Sequence, residues 1–413
     1  MVQFRKKMGR FYGLISFEEA LQRISSTSWI KPGTMSVPCS DSPGLIACST
    51  VYSKSDVPGY HRSLVDGFAV NSGNCNDATE TNPVKLKIIG IVQAGEMASH
   101  YAGAGECFEI YTGGRLPPGC DTVLMVEDVE RETGFIIFSR RPEPWENVER
   151  AGEDIHAGIE IVRGSSIIRP WQAAAMISSG IPEVGVFRKL RLGIISTGNE
   201  LFRESENFIE NTNQIMLASY FRRSFVSTEA IGILHDNQQE ISGKITESIQ
   251  IYDALIITGG TSLGGRDEVP DAISRIGKVI FGGVMMRPGR TIALYEVNGK
   301  PIFSVSGNPV PALISVEEFL ERYIETVIGI TGLRRKVMAK LSCSVTNRAG
   351  YTTILRVRVR NSEDGMIAEP IVSHGTGKLS TMIGADGTMV IPGNVEGYDK
   401  DQIIEIKFFG DSN

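Results

Sequence analysis

The spacing of apolar residues divides the first half of the chain into distinct segments. Apolar positions at helical spacing predict an amphipathic helix over residues 14–24, with Ser16 as N-cap and Glu19 completing a capping box. Short β runs at 85–92 and 122–126, in a region rich in Gly, Pro and Asn from about 48 to 150, predict a small all-β module. A further helix is predicted over 170–180, with Pro170 at its start and Gly180 at its end.

From about residue 188, apolar runs alternate with amphipathic segments. The pattern predicts a mostly parallel sheet with helices on both faces. The predicted strands are 190–195, 229–234 and 254–258, followed by a hairpin over 292–305 that turns at Asn298–Gly299; the predicted helices are 212–225, 238–251, 267–276 and 309–328. After residue 331 the chain returns to short alternating strands, including 353–360 and 403–408, which indicates a separate β domain.

Composition narrows the class of protein. A chain of 413 residues predicts two to four domains. The net charge of −6, without a block of Lys or Arg along one face, argues against a nucleic-acid partner. Six cysteines without a C-x-x-C pair indicate reduced thiols and a cytoplasmic protein. No stretch approaches the roughly 20 apolar residues of a membrane span, so no membrane association is expected.

The clearest chemical signal is a glycine loop after the predicted strand 254–258. Glycines and hydroxyls follow this strand, and the loop ends on the carboxylate of Asp267; the candidate phosphate-binding residues are Gly259, Gly260, Thr261, Ser262 and Gly264. Backbone N–H groups in such a loop bind anions, usually phosphates. Because a carboxylate beside a phosphate is repelled without a cation, the loop predicts a phosphate ester together with a divalent metal.

Other strand ends of the same sheet carry further polar residues. Ligands of open α/β sheets gather at the carboxyl ends of the strands. One strand is followed by Thr197, Gly198 and Glu200, the next by Asp236, and the last by Ser306, Gly307 and Asn308, which lead into a helix whose N-terminus favours anions. Arg287 and Arg290 add guanidinium groups suited to an oxyanion.

Each of these features also has a purely structural interpretation. The glycine loop could be a tight β-to-α turn, Glu200 a residue that complements a helix dipole, and Asp236 a helix N-cap. The two arginines could be solvated. Convergence of the features on one edge of one predicted sheet favours a functional site.

Several motifs carry a resemblance to one family. The segments are 59–70 (G-Y-H-R-S-L-V-D-G-F-A-V), 110–123 (I-Y-T-G-G-R-L-P-P-G-C-D-T-V) with 125–127 (M-V-E), 151–158 (A-G-E-D-I-H-A-G), 196–201 (S-T-G-N-E-L), 306–310 (S-G-N-P-V), and 375–380 (G-T-G-K-L-S) with 385–386 (A-D). Residues 190–308 resemble the domain shared by molybdopterin adenylyltransferases and molybdenum insertases. The remaining segments resemble only the insertases, the MoeA or gephyrin E-domain family of molybdopterin molybdenumtransferases.

The resemblance implies a fold and a reaction. The expected fold is multidomain α/β plus β: a discontinuous helical and β linker domain (9–47 and 152–187), a β-rich module (48–151), a doubly wound αβα molybdopterin-binding domain (188–331) and a β-barrel-like domain (332–413). The implied reaction inserts molybdate, or tungstate, into adenylylated molybdopterin with release of AMP, assisted by Mg²⁺.

The resemblance also transfers roles to residues of this chain. It implies catalytic roles for Asp66, Thr112, Asp154, Glu200, Asp236 and Asp267, and it places molybdate near Arg287, Arg290 and Ser306. Of the carboxylates, we expect Glu200, Asp236 and Asp267 to hold Mg²⁺ against the pyrophosphate of the substrate, since the anions would otherwise be repelled. A remaining carboxylate could act as general base, and spacing does not say which.

This chain departs from the family pattern at several positions. Family members usually have N-S-A-M-D-G where this chain has Arg62-Ser-Leu-Val-Asp-Gly, and lysines where it has Arg287 and Arg290. Proline is usual at Ser306, and a second aspartate at Asn237. The acidic residues are retained while the residues expected near the oxyanion vary, so the choice between molybdate and tungstate stays open.

The location of Asp66 and Asp154 outside the predicted sheet favours a homodimer. On the structural interpretation, Asp66–Gly67 is a hairpin turn. On the functional one, both acids reach a sheet-domain crevice, either in their own subunit or in a second one. The competing functions are a molybdopterin adenylyltransferase, a nucleotide-recycling pyrophosphatase-like enzyme and a non-catalytic gephyrin-like scaffold. A molybdopterin adenylyltransferase is also a candidate partner.

Overall fold

The structure is a computed structural model that describes residues 13–260, 268–363, 365–371 and 378–410. The chain forms two compact units. Residues 36–43 and 47–185 make the first, here named the β unit, and residues 1–35, 44–46 and 186–413 make the second, the sheet–barrel unit. The division into four domains with the boundaries given above stays a prediction.

The β unit is built on a six-stranded mixed sheet. In spatial order its strands are Thr122–Met125, Gly67–Val70, Glu106–Ile110, Val84–Val92, Phe135–Phe138 and Glu130–Glu132. Alternating apolar residues of these strands, such as Phe68, Leu124 and Ile136, are fully buried in one core. The β-rich module predicted from the sequence is therefore confirmed.

Short elements complete the β unit. They are the strands Val51–Tyr52, Arg62–Ser63, Val148–Glu149 and Glu160–Val162, and the helix Pro170–Ser178. That helix begins with proline at its first position, and Gly180 (φ 83°) lies just beyond its end, as predicted. The strands Thr34–Pro38 and Glu183–Phe187 pair with each other in a separate two-stranded sheet.

The sheet–barrel unit contains the predicted mostly parallel sheet. In spatial order its strands are Val226–Leu234, Leu190–Thr197, Ala254–Thr258, Lys300–Val305, Ala293–Val297 and Lys278–Gly282. The first four run parallel, and Ala293–Val297 is antiparallel to both of its neighbours. The hairpin turns at Asn298–Gly299, where both residues have positive φ (51° and 75°).

Helices cover both faces of this sheet, which makes it doubly wound. Gln238–Ile251 and Glu268–Ser274 bury Ile245 and Ile273 against Leu255 and Ile257 of the central strand. Thr212–Tyr220 and the long helix Pro309–Ile328 pack on the opposite side. The first of these ends five residues earlier than predicted because Arg223 and Val226 close a turn.

The N-terminal helix Phe17–Ser26 belongs to the sheet–barrel unit. Ser16 caps it by accepting the Glu19 N–H at 3.0 Å, as predicted. Phe17 packs on Phe319 of the long helix with ring centroids 5.5 Å apart, and Arg23 donates to the Ile280 carbonyl at 2.8 Å.

A closed β-barrel ends the chain. Its five strands, in order around the barrel, are Thr352–Ser362, Gly365–Pro370, Lys336–Leu341, Ile403–Phe408 and Gly387–Ile391, the last pairing again with the first. The two-residue strand Met286–Arg287 runs parallel to Thr352–Thr353 at its edge. The predicted barrel-like domain is confirmed, and the helix Ser380–Ile383 lies between two of its strands in sequence.

Two sequence-based expectations concern the chain as a whole. The six cysteines are free thiols, and each lies in a described segment. Of the helices that the structure describes, none combines the length and apolarity needed to cross a membrane.

Candidate functional site

The glycine loop begins with two glycines that no other residue could replace without strain. Gly259 has φ 102°, and a Cβ on it would lie 2.0 Å from the Thr197 carbonyl oxygen. Gly260 has φ 62°, and its Cβ would lie 2.6 Å from a methyl group of Val269. The loop therefore leaves its strand in contact with the end of the neighbouring strand, which exposes backbone rather than side chains to a ligand.

Thr197 is buried beside this glycine pair. Its side chain is 1 % exposed, and its hydroxyl has no hydrogen-bond partner among the described residues. The hydroxyl lies close to the positions that side chains on Gly259 and Gly260 would occupy. A buried hydroxyl without a partner is costly, so a ligand on this loop would gain a donor already in place.

Asn213 ties the glycine loop to the next strand end. Its buried amide nitrogen donates to Thr258 Oγ1 at 2.8 Å and to the Gly307 carbonyl at 2.7 Å. Ser306 Oγ accepts the N–H of Asn308 at 3.1 Å, immediately before the long helix begins at Pro309. The sequence predicts only that Asn213 lies in a helix. Its two hydrogen bonds could not be predicted because their acceptors lie 45 and 94 residues away.

Glu200 and Asp236 come together at the other side of the sheet edge. Glu200 lies in a short 3₁₀ turn, Asn199–Leu201, directly after its strand. The N–H of Asn199 donates to Asp236 Oδ2 at 3.4 Å, and the N–H of Asp236 donates to Asn199 Oδ1 at 3.3 Å. The N-cap of the following helix is Asn237, which accepts the N–H groups of residues 239 and 240, so the N-cap interpretation of Asp236 is wrong.

The electrostatics of Asp236 reveal a third acid. Partial desolvation raises the pKa of Asp236, and the negative charges of Glu200 and Glu268 raise it further. The Asn199 N–H and His235 act in the opposite direction. Glu268 was missed in the sequence because it looked like an ordinary first-turn helix residue beside Asp267. The three acids form a patch of negative charge that a bound cation would stabilise.

An aromatic pair adjoins these acids. The rings of Phe202 and His235 stack at 3.7 Å with an interplanar angle of 10°. His235 Nδ1 lies 3.2 Å from Asn199 Oδ1, within hydrogen-bond distance. The stack holds the two loops that carry Glu200 and Asp236 in contact with each other.

The two arginines occupy different environments. The Arg287 guanidinium lies over the ring of Tyr351, 5.1 Å from its centroid, at the edge of the barrel. Arg290 is exposed, and its carbonyl accepts the N–H of Val284 at 3.0 Å. Between them Gly289 (φ 96°) packs so tightly on the long helix that a Cβ would lie 2.7 Å from that of Ser315. The loop that carries Arg287 and Arg290 therefore packs on the helix Pro309–Ile328, whose N-terminus follows Ser306.

Several predicted residues lie outside the described part of the chain. They are Thr261, Ser262, Gly264 and Asp267. Within the described segments, no set of three His, Cys, Asp or Glu side chains is arranged as a complete metal site. Glu200 and Asp236 remain the two described residues from the predicted metal-binding set, and their shared charge suits a divalent cation.

In the β unit, Asp66 is fixed by Thr112. Its Oδ1 accepts both the backbone N–H and the hydroxyl of Thr112, each at 2.8 Å, and these bonds lower the pKa of Asp66. Gly67 opens a strand, and a Cβ there would lie 1.9 Å from the Leu124 carbonyl oxygen. Asp66–Gly67 is therefore a strand entry and not a hairpin turn, which makes that structural interpretation wrong.

Three of the resembling segments meet in the β unit. Ser63 exchanges backbone hydrogen bonds with Gly113 and Gly114, at 2.8 and 3.0 Å. The N–H of Ala151 donates to His61 Nδ1 at 3.0 Å, close to Asp154. Arg62 pairs with Glu149 at 2.5 Å; that bond, and more weakly the charge of Asp154, raise the pKa of Arg62. Asp66, Thr112 and Asp154 thus belong to one connected set of loops.

Family models match the chain in three successive stretches. The MoeA N-terminal region (domain I and II) matches residues 15–180, and the probable molybdopterin binding domain matches 193–326. The MoeA C-terminal region (domain IV) matches 338–409. The matches follow the order of the segments described above.

Relatives agree with the family models. A putative molybdopterin biosynthesis protein of Methanocaldococcus jannaschii is 31 % identical over 373 residues, which covers 87 % of this chain and 88 % of the relative. The chain belongs to the MoeA family. A second MoeA-family relative, named molybdopterin molybdenumtransferase in Bacillus subtilis, is 26 % identical over 415 residues, with 97 % and 95 % covered.

Solved structures show the same MoeA fold. A molybdopterin biosynthesis MoeA protein of Pyrococcus horikoshii has a TM-score of 0.84 at 31 % identity and covers 96 % of this chain and 99 % of that one. A second structure from that organism has a TM-score of 0.81 at 27 % identity, covering 96 % and 100 %. The protein is therefore a MoeA-type protein of molybdenum cofactor biosynthesis.

Proposed function

We propose that this MoeA-family protein is a molybdenum insertase. In the proposed reaction, the two dithiolene sulfurs of adenylylated molybdopterin displace two oxygens of molybdate, which leave as water. Water hydrolyses the phosphoanhydride bond, and AMP leaves. The observation that carries the proposal is the meeting of Glu200 and Asp236 beside a glycine loop at one sheet edge, with the pKa of Asp236 raised. Relatives named molybdopterin molybdenumtransferase support it at about a quarter identity.

The glycine loop would bind the phosphate groups of the substrate. Gly259 and Gly260 bring backbone close to the ligand. The hydroxyl of Thr197, which has no partner within the described segments, would donate to a phosphate oxygen. Asn213 keeps Gly307 at a fixed position relative to that loop. The departing AMP would thus remain held by groups that need no rearrangement.

Glu200 and Asp236 would hold Mg²⁺, with Asp267 as the predicted third residue. The fit rests on the donor set, because carboxylate oxygens at a strand-end crevice are ligands that Mg²⁺ prefers. The pKa of Asp236 is raised first by burial and then by the charges of Glu200 and Glu268, and a bound cation would offset both effects. When bound, Mg²⁺ would stabilise the charge that develops on the leaving phosphate. Asn199 orients Asp236 by accepting its N–H and donating to its carboxylate.

The oxyanion would bind near Arg290 and the N-terminus of the long helix. Arg290 is exposed, and Ser306 precedes a helix whose first turn, Pro309-Val-Pro311, offers the N–H of Val310, since proline carries none. Arg287 would contribute less directly, since its guanidinium already stacks on Tyr351. The relative affinity of this loop for molybdate and tungstate would determine which of the two is the physiological oxyanion.

We further propose that the active protein is a homodimer with a shared site. Asp66 and Asp154 belong to the β unit, whereas Glu200 and Asp236 belong to the sheet–barrel unit. The lowered pKa of Asp66 keeps its carboxylate ionised, as a role beside a cation or an electrophile requires. A second subunit would supply these acids to the sheet edge.

Two other functions would use part of the same chain. A molybdopterin adenylyltransferase would need only the region matched by the molybdopterin-binding model, residues 193–326, so the β unit and barrel favour the insertase. A non-catalytic scaffold would not require the paired acids Glu200 and Asp236. Incubation with adenylylated molybdopterin, molybdate and Mg²⁺, followed by detection of AMP, tests the proposal: an insertase releases AMP, and a scaffold does not.

A further inference from the structure

An aromatic ring lies beside the paired acids at the sheet edge. His235 follows the strand Val226–Leu234 and directly precedes Asp236. Its imidazole stacks on the ring of Phe202, with the centroids 3.7 Å apart and the planes inclined by 10°. Phe202 is half-buried, His235 is exposed, and no second ring of a described residue stacks on the imidazole. One face of the imidazole is therefore covered, and the other is available for contact.

Asn199 fixes the orientation of this ring. Its Oδ1 accepts the backbone N–H of Asp236 at 3.3 Å and lies 3.2 Å from His235 Nδ1. Since an amide oxygen only accepts, a hydrogen bond between the two requires the ring proton on Nδ1. The hydrogen bond and the stack on Phe202 together hold the imidazole before any ligand binds. A ligand on its available face would therefore lose little affinity to side-chain ordering.

The order of the strands places the proposed binding groups in a line along the sheet edge. In spatial order, four neighbouring parallel strands are Val226–Leu234, Leu190–Thr197, Ala254–Thr258 and Lys300–Val305. They lead, in the same order, to His235, Glu200, the glycine loop and Ser306. With about 4.8 Å between neighbouring strands, the strand before His235 lies on the order of 14 Å from the strand before Ser306.

The parts of the proposed substrate follow one another in a matching order. Adenylylated molybdopterin carries the pterin and dithiolene at one end, the phosphoanhydride in the middle and adenosine at the other end. An oxyanion beside Ser306 and Arg290 would fix the position of the dithiolene end, and phosphates on the glycine loop would fix the middle. The adenosine then extends towards the strand that leads to His235.

We propose that the available face of His235 is a stacking site for the adenine base of the substrate. The inference rests on the proposed insertase function, because that function supplies the adenylylated substrate. The base would stack on the imidazole, and Phe202 would be the next ring of the column. Stacking of this kind selects planar heterocycles and does not need a pattern of hydrogen bonds. The ligand class is an adenine nucleotide, bound through its base here and through its phosphates at the neighbouring strand ends.

A stacking site and a purely structural role of the ring predict different losses. The stack of His235 on Phe202 also holds together the loops that carry Glu200 and Asp236. If the ring only held these loops, its removal would disturb the acids and weaken every phosphate ligand. If the ring binds adenine, its removal weakens only the ligands that carry a base.

Calorimetric titration of the full-length protein with two probes, each in the presence of Mg²⁺, separates these roles. AMP carries the base, and ribose 5-phosphate is the same sugar phosphate without it. Wild type should bind AMP more tightly, and His235→Ala should weaken AMP binding on the order of tenfold while ribose 5-phosphate binding stays unchanged. His235→Phe keeps an aromatic ring and should retain most of the preference for AMP. His100→Ala removes an exposed histidine of the β unit and, as the matched control, should bind both probes like wild type.

Three results would overturn the proposal. Equal weakening of both probes in His235→Ala would leave the ring a purely structural role, and unchanged AMP affinity would exclude stacking of the base. Weaker binding of molybdopterin, which lacks the nucleotide, would place the pterin on His235 instead. AMP release is a separate measurement: release by a protein without preference for AMP contradicts only the stacking site, and preference for AMP without release contradicts only the insertase.

A measurement on wild type keeps the test decisive if His235→Ala does not fold. The probe is the 5′-monophosphate of 2-aminopurine riboside, a fluorescent analogue of AMP. Its fluorescence should fall on binding, because stacking on an aromatic ring quenches the base. Fluorescence that stays unchanged when the protein is saturated would overturn the proposal.

Discussion

Asn199 and Asp236 exchange hydrogen bonds across two loops. The Asn199 N–H donates to Asp236 Oδ2 at 3.4 Å, and the Asp236 N–H donates to Asn199 Oδ1 at 3.3 Å. Each residue lies two positions beyond a strand end, since Thr197 pairs with Leu234 in the parallel register. The carboxylate of Asp236 is thereby oriented by backbone geometry before any ligand binds.

Mg²⁺ binding should release protons at acid pH. Without a cation, desolvation and the charges of Glu200 and Glu268 raise the pKa of Asp236, so its carboxyl retains a proton above its usual pH range. Because a cation binds only the ionised form, Mg²⁺ affinity should rise with pH through that raised pKa, with release of up to about one proton. Calorimetric titrations at pH 5 and pH 8, each in two buffers of different ionisation enthalpy, measure both effects. Affinity that is equal at the two pH values would remove Asp236 from the metal site.

Gly259→Ala should destabilise the protein, whereas Gly307→Ala should not. A Cβ on Gly259 would overlap the Thr197 carbonyl oxygen at 2.0 Å, in a backbone conformation with φ 102°. On Gly307 the nearest atom is 3.8 Å away. Strain of this kind costs roughly 1–3 kcal/mol. Chemical denaturation measures the difference, and equal stabilities of the two variants would contradict the described loop geometry.

Arg290→Ala should weaken oxyanion binding without affecting the fold. Arg290 is exposed, and a charge-assisted contact is worth roughly 1.5–3 kcal/mol, so affinity for molybdate or tungstate should fall about tenfold or more. Affinity for the adenylylated pterin should hardly change. Titrating each ligand separately distinguishes the outcomes. Equal weakening of both ligands would assign Arg290 to the nucleotide, and no weakening would make it a solvated charge.

Mixed subunits should recover activity if the site is shared. Asp66 belongs to the β unit and Asp236 to the sheet–barrel unit. Mixing inactive Asp66→Asn with inactive Asp236→Asn protein should give heterodimers with one intact site, and hence up to about half of the wild-type activity per heterodimer. Subunit exchange is verified with differently tagged chains. Exchange without recovered activity would place all the acids of each site within one chain.

Local signals in the sequence were sufficient to predict some elements with their correct bounds. The helix Pro309–Ile328 has the predicted bounds because proline suits its first position and Gly329 ends it with φ 82°. The hairpin turn at Asn298–Gly299 has positive φ at both residues, as that dipeptide indicates. The grouping of Glu200 and Asp236 also followed, since carboxyl ends of parallel strands share one edge.

Other features depend on contacts between distant residues, which local patterns do not reveal. Glu268, the first residue of the helix Glu268–Ser274, raises the pKa of Asp236, and Asn213 joins strand ends 45 and 94 residues away. The burial of Arg334 among three acids of the long helix is equally invisible in the local sequence. The stacking of Arg287 on Tyr351 could likewise not be predicted, because it depends on the barrel lying beside the loop that carries Arg287.

Release of AMP from adenylylated molybdopterin, with molybdate and Mg²⁺ present, is the decisive assay for the proposed insertase activity. Wild type should release AMP in a reaction that needs both, and Glu200→Gln, Asp236→Asn and Asp267→Asn should each slow it at least tenfold, because each removes charge at the proposed metal site. The melting temperatures of these variants should stay near that of wild type. As a control, Glu247→Gln changes an exposed acid of the helix Gln238–Ile251 and should retain full activity. AMP release at the wild-type rate by folded Glu200→Gln and Asp236→Asn variants would show that the reaction does not require these acids and would contradict the proposed function.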